Sequence, residues 1–279
     1  VLMVNDKPSC NIACTHCYLP YKGVRSPENT LNVGEKFKDK FNVIIAGREV
    51  LIDLHYLKSI QAAGQKRVLT NGILLLKNSD IFEKLKNSEI EEIQISYHFG
   101  IQKELQSVPK KIVKQALQKS NSEGFLTTIS ATTTIDNYKN VVEMCDEAFE
   151  MGANKINFIK YVKSGSAKNR EERILNQVEK EEFFELVDLA REKYSKDRLT
   201  IEIHGNFGPK KNSKGAEMSQ CNSYCPAGEK LFVIDPNDKI YGCPLLMSSQ
   251  IGTLSENFKL NIEKTLCGGR RDICLTEIL

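Results

Sequence analysis

The sequence predicts an α/β fold: a partial (β/α)6 barrel, open and TIM-like, over residues 1–205, followed by a small unit over residues 206–279 that contains a β-hairpin. Three observations carry this prediction. Short β-rich runs alternate with amphipathic runs of helical period at near-regular spacing, which implies parallel pairing through right-handed crossovers. Two of the helical runs end on a glycine, Gly64 and Gly152, where a helix C-cap is expected. From about residue 206 the texture changes to a Gly/Lys/Ser-rich stretch, and the pattern beyond it has a period of two.

Taken in order, the strands are "VLMVN" (1–5), "NVIIA" (42–46), "KRVLTN" (66–71), "EEIQISY" (91–97), "LTTISATT" (126–133) and "KINFIKYV" (155–162). Helices are expected over "HYLKSIQAAG", "SDIFEKLKNS", "VPKKIVKQALQKSNSEG" and "DNYKNVVEMCDEAFEMG". A complete eight-unit barrel occupies ~250 residues. Here the alternation weakens after "KEEFFELVDLAREKY" and "LTIEIHG", so an open barrel of six units is expected. The stretch "NFGPKKNSKGAEMSQ" reads as a linker or loop, and "KLFVIDPNDKIYGC" alternates apolar and polar residues on either side of "DPND", a hairpin signal. The second unit carries five cysteines and is too short to build a sufficient core alone, so a metal staple is physically sensible.

Composition narrows the partners. The chain has 279 residues, 41% apolar and 27% charged, which is enough for a core and unlike a disordered chain. Its net charge is +3 with no long basic run, so no nucleic-acid partner is expected. No apolar run approaches the ~20 residues of a membrane span, and no signal-like segment opens the sequence, so the expected location is cytoplasmic, away from membranes. Nine cysteines in a chain of this size suit metal better than disulfides. Cys10, Cys14 and Cys17 lie at the front, Cys221, Cys225, Cys243, Cys267 and Cys274 at the back, and Cys145 alone between them. Two separate sites are implied.

The front group stands in "CNIACTHCYLP", residues 10–20. A four-iron cluster usually takes four thiolates, so three leave one iron open to a ligand. This C-x-x-x-C-x-x-C spacing on the loop after the first strand resembles the radical SAM enzymes. The resemblance implies a [4Fe-4S] cluster on Cys10, Cys14 and Cys17 whose open iron chelates S-adenosylmethionine (SAM). Reductive cleavage then yields a 5′-deoxyadenosyl radical that abstracts a hydrogen atom from a substrate carbon, with the protein aiming chemistry that belongs to the cofactor.

Further matches fall at successive strand ends. Gly47 and Glu49, directly after the second strand, match a G-G-E-P-like segment of that family, while Arg48 and Val50 depart from it. Thr70-Asn71-Gly72 and Ile95-Ser96-Tyr97 resemble its T-N-G and I-S-x-D positions, with His98 near the place of the acidic residue. The resemblance thus places Gly47, Glu49, Asn71 and Ser96 around bound SAM, with His16 facing the adenine and Lys160 reaching the SAM carboxylate. His16 reads equally as an exposed histidine, and Lys160 as a surface lysine. Cys145 falls on the apolar face of a helical pattern with Val141, Met144 and Ala148, and reads as a small core residue.

The rear cysteines resemble the twitch or SPASM extension of the same superfamily, through "CPAG" at Cys225, the hairpin ending "YGCP" at Cys243, and Ile251-Gly252. This implies one auxiliary [4Fe-4S] cluster on Cys225, Cys243, Cys267 and Cys274. Cys221 is then spare: a substitute ligand, an inert thiol, or a hydrogen-atom donor in the active site. The implied function is peptide modification, by crosslinking, oxidation or epimerisation, with electrons from a flavodoxin- or ferredoxin-type donor. The alternative is a small-molecule substrate, through amino-sugar dehydrogenation or nucleotide rearrangement. A non-catalytic iron–sulfur or zinc protein would leave the matches at Gly47, Glu49 and Ser96 unexplained.

Overall fold

The computed structural model describes residues 2–5, 10–19, 25–195, 197–204, 227–244, 247 and 249–263. Cys221, Cys225, Cys267, Cys274 and all of the expected linker lie outside the described residues.

Five strands form one parallel sheet in chain order: β3 (Arg67–Thr70), β4 (Glu92–Ser96), β5 (Leu126–Thr133), β6 (Lys155–Lys160) and β7 (Thr200–His204). A second sheet holds β1 (Leu2–Asn5) and β2 (Val43–Ala46), paired in parallel. Its other members are the late strands β8 (Phe232–Ile234), β9 (Lys239–Tyr241), β10 (Gln250–Leu254) and β11 (Leu260–Ile262). The helices are α1 (Pro27–Phe37), α2 (Tyr56–Ala62), α3 (Ile73–Lys77), α4 (Ile81–Asn87), α5 (Gln102–Leu105), α6 (Lys110–Ser122), α7 (Val141–Glu150) and α8 (Gln177–Lys193).

The helices cover one side of the parallel strands: α1 and α2 pack on β1 and β2, α6 on β4 and β5, α7 on β6, and α8 on β7. Side chains alternate across a strand, so every second residue joins that buried layer. Ile93, Ile95, Ile129, Ala131, Ile156, Phe158, Ile201 and Ile203 do so, and Phe158 meets Phe183 of α8 edge to face with ring centres 5.7 Å apart. The residues between them, among them Gln94, Ser96, Ser130, Thr132, Asn157 and Glu202, belong to the opposite, inner face, which is polar. Helix starts follow local chemistry. The Ser26 hydroxyl accepts from the Asn29 N–H at 3.1 Å ahead of α1, and Asn176 and Glu179 form a reciprocal capping box on α8.

The expected open barrel, its helices and the hairpin are present, with two differences. "LTIEIHG" forms a full seventh parallel strand, because Ile201 and Ile203 complete the layer over α8 where the sixth unit would otherwise leave an apolar edge. The ladder is also interrupted between β2 and β3. There the Gln65 carboxamide spans the gap, accepting from the Ile45 N–H at 2.7 Å and donating to the carbonyl of Arg67.

The hairpin β8–β9 is joined to the barrel. β8 runs parallel to β1, with Leu2 opposite Phe232 and Val4 opposite Ile234. An edge that would otherwise carry unpaired backbone groups is thereby covered. Buried Arg25 locks the hairpin turn, donating to Asp238 Oδ1 at 2.5 Å and to the Asp235 carbonyl at 2.7 Å. One sheet therefore crosses residue 205.

Candidate functional site

The cysteine segment Cys10–Leu19 follows β1 and is anchored from four directions. Asn11 Oδ1 accepts from Asn71 Nδ2 at 2.7 Å. Thr15 donates from its backbone N–H to the Leu105 carbonyl (3.0 Å) and from its hydroxyl to the Glu104 carbonyl (2.7 Å), at the end of α5. The carbonyls of Cys17 and Tyr18 accept from the Ser166 N–H and the Ser164 hydroxyl, both at 2.8 Å, in the turn after β6. Arg48 donates to the Leu19 carbonyl at 2.9 Å.

The three thiols are half-buried and unbridged. Burial pushes the Cys14 thiol up to about 12, reinforced by the charges of Cys10 and Cys17, and burial also raises Cys10. Among the described residues, no three His, Cys, Asp or Glu groups gather as a single ion requires. Three thiols that feel one another's charge without closing on one point fit separate corners of a multinuclear cluster. A cationic centre would also reverse the penalty on their ionised forms.

Glu49 is the hinge pin beneath this loop. Its carboxylate is buried and accepts from the Asn71 N–H (2.8 Å), the Thr70 hydroxyl (3.1 Å) and the Leu51 N–H (3.3 Å), so it joins the end of β2 to the turn after β3. Burial raises its pKa to about 7, against the opposing pull of those donors. Asn71 is held a third time: beyond its bonds to Glu49 and Asn11, its Oδ1 accepts from the Ile73 N–H at 3.1 Å. Glu49 and Asn71, expected around the bound cofactor, make an internal chain of hydrogen bonds that ends beside Cys10. Gly47 sits half-buried just after β2.

His16 packs edge-on against His98, with ring centres 4.3 Å apart. Thr132 donates its N–H to His98 Nδ1 at 3.1 Å, which leaves the ring proton on Nε2, while His16 Nδ1 donates to the Leu105 carbonyl at 3.1 Å. Burial lowers both rings, His16 to about 4, so both are neutral at pH 7. Ser96 ends β4 on the inner face, two residues before His98, with a half-exposed hydroxyl that has no partner among the described residues.

Lys160 lies elsewhere. It shares the helix-facing side of β6 with Ile156 and Phe158, and it lines a narrow crevice with Thr133, Tyr161, Leu175 and Lys180 of α8. Cys145 is fully buried in α7, as a core residue should be. Of the rear cysteines only Cys243 is described. It is half-buried, and Tyr18 is near enough to it and to Cys17 for both charges to raise the phenol, already pushed up by burial.

Sequence reasoning missed Asn11, Thr15, Arg48, Ser164 and Gly165. A turn signal was present in "KSGSAK" around Gly165. The partners of Asn11 and Arg48 carried none, because bonds spanning 60 and 29 residues leave no local trace.

No family model matches this chain, and no curated protein does. Solved structures do. SuiB from Streptococcus suis, bound to precursor peptide SuiA, superposes with a TM-score of 0.70 at 18% identity, over 95% of this chain and 63% of that one. The structure described as anSMEcpe with bound AdoMet gives 0.68 at 16% identity, over 94% and 81%. HemN from Escherichia coli, described as a radical SAM enzyme, gives 0.50 at 10% identity, over 69% and 52%. The chain spans less than two thirds of the length of SuiB. At such identities the likeness is one of fold.

Proposed function

We propose that this chain, whose fold is the one found in radical SAM enzymes, is itself such an enzyme and acts on a carbon atom of a peptide. The observation that carries the reading is the cysteine segment: three coupled thiols at the C-terminal end of a parallel strand, fixed by the side chains of Asn71, Ser164 and Arg48 and by the carbonyls of Glu104 and Leu105. A [4Fe-4S] cluster and SAM bound there would supply one-electron reductive chemistry capable of removing a hydrogen atom from a substrate carbon.

The residues of the chain divide the remaining work. Cys10, Cys14 and Cys17 would hold the cluster. Asn71 and Arg48 fix the two ends of the segment, and Glu49 holds Asn71. Ser96 offers a free hydroxyl to the cofactor, and His16, kept neutral and oriented by Leu105, offers an apolar face with an acceptor nitrogen. The peptide class is supported by the structures described as SuiB with its precursor peptide SuiA and anSMEcpe with bound AdoMet and a Cp18Cys peptide.

An auxiliary [4Fe-4S] cluster on Cys225, Cys243, Cys267 and Cys274, with Cys221 left over, belongs to the same proposal. So do the division at residue 205, a flavodoxin- or ferredoxin-type donor and a cytoplasmic location. No helix among the described residues is long and apolar enough to cross a membrane.

The test is anaerobic reconstitution of the wild type and of the Cys10/Cys14/Cys17→Ala variant. Wild-type protein should cleave SAM to 5′-deoxyadenosine under reduction. The variant should lose about four irons and all cleavage. Cleavage retained by the variant would sink the assignment.

A further inference from the structure

Four lysines in the helices that follow β3 and β4 have no anion to match them. Lys77 ends α3, Lys103 lies in α5, and Lys111 and Lys114 lie in α6. All four are exposed, and among the described residues none of their ammonium groups is in an ion pair or a hydrogen bond. The carboxylates of Glu104 and Glu147 are already taken, by Arg173 and by Lys110, each at 2.9 Å. Like charges left uncompensated on one face raise the potential there and draw in a partner of opposite sign.

The place of these charges matters as much as their number. Lys103 adjoins Glu104, whose carbonyl accepts the Thr15 hydroxyl at 2.7 Å, so α5 touches the cysteine segment between Cys14 and Cys17. That segment comes to the surface at Asn11 and Ala13, both exposed. Helix α6 buries Val113, Ala116, Leu117 and Ser120, which leaves Lys111 and Lys114, one turn apart, on its outward face. Helix α3 packs against α6 and adds Lys77 to the same wall. A nucleic acid is a poor match, since tight binding to a duplex takes about 6–10 phosphate contacts. A substrate carbon docked on the outside of α6 would be cut off by the sheet from its inner face. A protein that has only to hand over an electron is under no such restriction, because the cysteine segment lies directly beneath α5.

We propose that Lys77, Lys103, Lys111 and Lys114 form the docking surface for an acidic electron-donor protein of the flavodoxin type. This rests on the radical SAM reading above and names the face through which its electron enters. One electron leaves the reduced flavin of the donor and passes to the cluster that Cys10, Cys14 and Cys17 would hold; no atom is transferred. Exposed charges of this kind act mainly on the rate of encounter and on the choice of partner, and salt screens them.

The experiment titrates reconstituted protein into a purified flavodoxin and follows the flavin fluorescence, which reports binding without turnover. Wild type should bind, and about tenfold more weakly at about 200 mM salt than at about 20 mM. Lys103/Lys111/Lys114→Glu should bind about tenfold more weakly than wild type at low salt, and Lys103→Glu or Lys111→Glu alone about threefold. The single variants keep the test readable if the triple one fails to fold. The control is Lys36/Lys38/Lys40→Glu, an equal change of charge at exposed positions around the end of α1, just before β2 begins and so at the opposite edge of the strands. It should stay within about twofold of wild type. Equal losses in the two triple variants would mean that net charge alone attracts the donor. A blocked hexaglutamate that competes as well as flavodoxin would mean a site for acidic chains; either result, or binding that ignores salt, overturns the proposal. SAM cleavage is measured in parallel with dithionite, which needs no docking. Its absence in wild type would sink the enzymatic reading, while the fluorescence titration would still decide the docking face.

Discussion

Asn71 donates from Nδ2 to Oδ1 of Asn11 at 2.7 Å, and this one bond ties the end of β3 to the residue that follows Cys10. Behind it, Glu49 accepts the Asn71 N–H, so the position of the first thiol is set by side chains from β2 and β3 as well as by its own segment.

Losing this bond should loosen the segment without emptying it. Asn71→Ala and Asn11→Ala are each expected to weaken SAM binding about tenfold, or about 1.4 kcal/mol. Because both remove the same bond, the double variant should be no weaker than the worse single one. Calorimetric titration with SAM decides it, and fully additive losses would show that the bond carries nothing.

Gly165 should tolerate no side chain. Its φ is +58°, and an added Cβ would lie 2.3 Å from the Cys17 carbonyl oxygen and 2.6 Å from the Tyr18 carbonyl carbon. Gly165→Ala is expected to cost roughly 2–4 kcal/mol and to lower Tm by roughly 5–10 °C. Gly64→Ala has a similar φ of +68° with nothing within 4 Å, so it bears only the backbone strain and should lose about a third as much. Equal losses in calorimetric melts would remove the steric argument.

Glu49 should make stability depend on pH. Its pKa rises from 4.5 to about 7 in the folded protein, so between those values the native state binds more protons than the unfolded one. Stability then falls as pH rises through that window, and above it the contribution is gone. Glu49→Gln removes the titration. The Tm of wild type minus that of the variant should therefore decline between pH 5 and pH 8, and a flat difference would refute the burial argument.

Lys160 faces α8, away from the inner surface of the sheet. Lys160→Met is accordingly expected to alter Tm while leaving SAM affinity within about threefold. A tenfold loss of affinity at unchanged Tm would return this lysine to the cofactor.

Much of this architecture was legible in the sequence because its signals are local. Period-two runs such as "EEIQISY" show which face of a strand is buried, and Gly64 and Gly152 marked helix ends that do carry positive φ. The spacing of Cys10, Cys14 and Cys17 was equally plain. Direction was harder to read. Lys160 stands at a strand end, as a ligand residue would, but counting in twos from Phe158 already assigns it to the helix side. Glu49 matched a motif by type, while the pairing of its carboxylate with Thr70 and Asn71 is one that only the folded chain brings together. The seventh strand was discounted because a five-residue edge strand has few residues in which to display its period.

The pairing of Leu2 with Phe232 has a consequence for biogenesis. Translation delivers the chain N-terminus first at about 5–20 residues per second, so β1 waits roughly 10–45 s before its second neighbour leaves the ribosome. Until then the segment bearing the first three cysteines hangs from a half-built ladder, and its anchors at Leu105 and Ser166 also arrive late. Iron delivered to the nascent chain would meet thiols not yet held in place. On the reading proposed above, the segment is ready to take a cluster only once β8 has paired with β1.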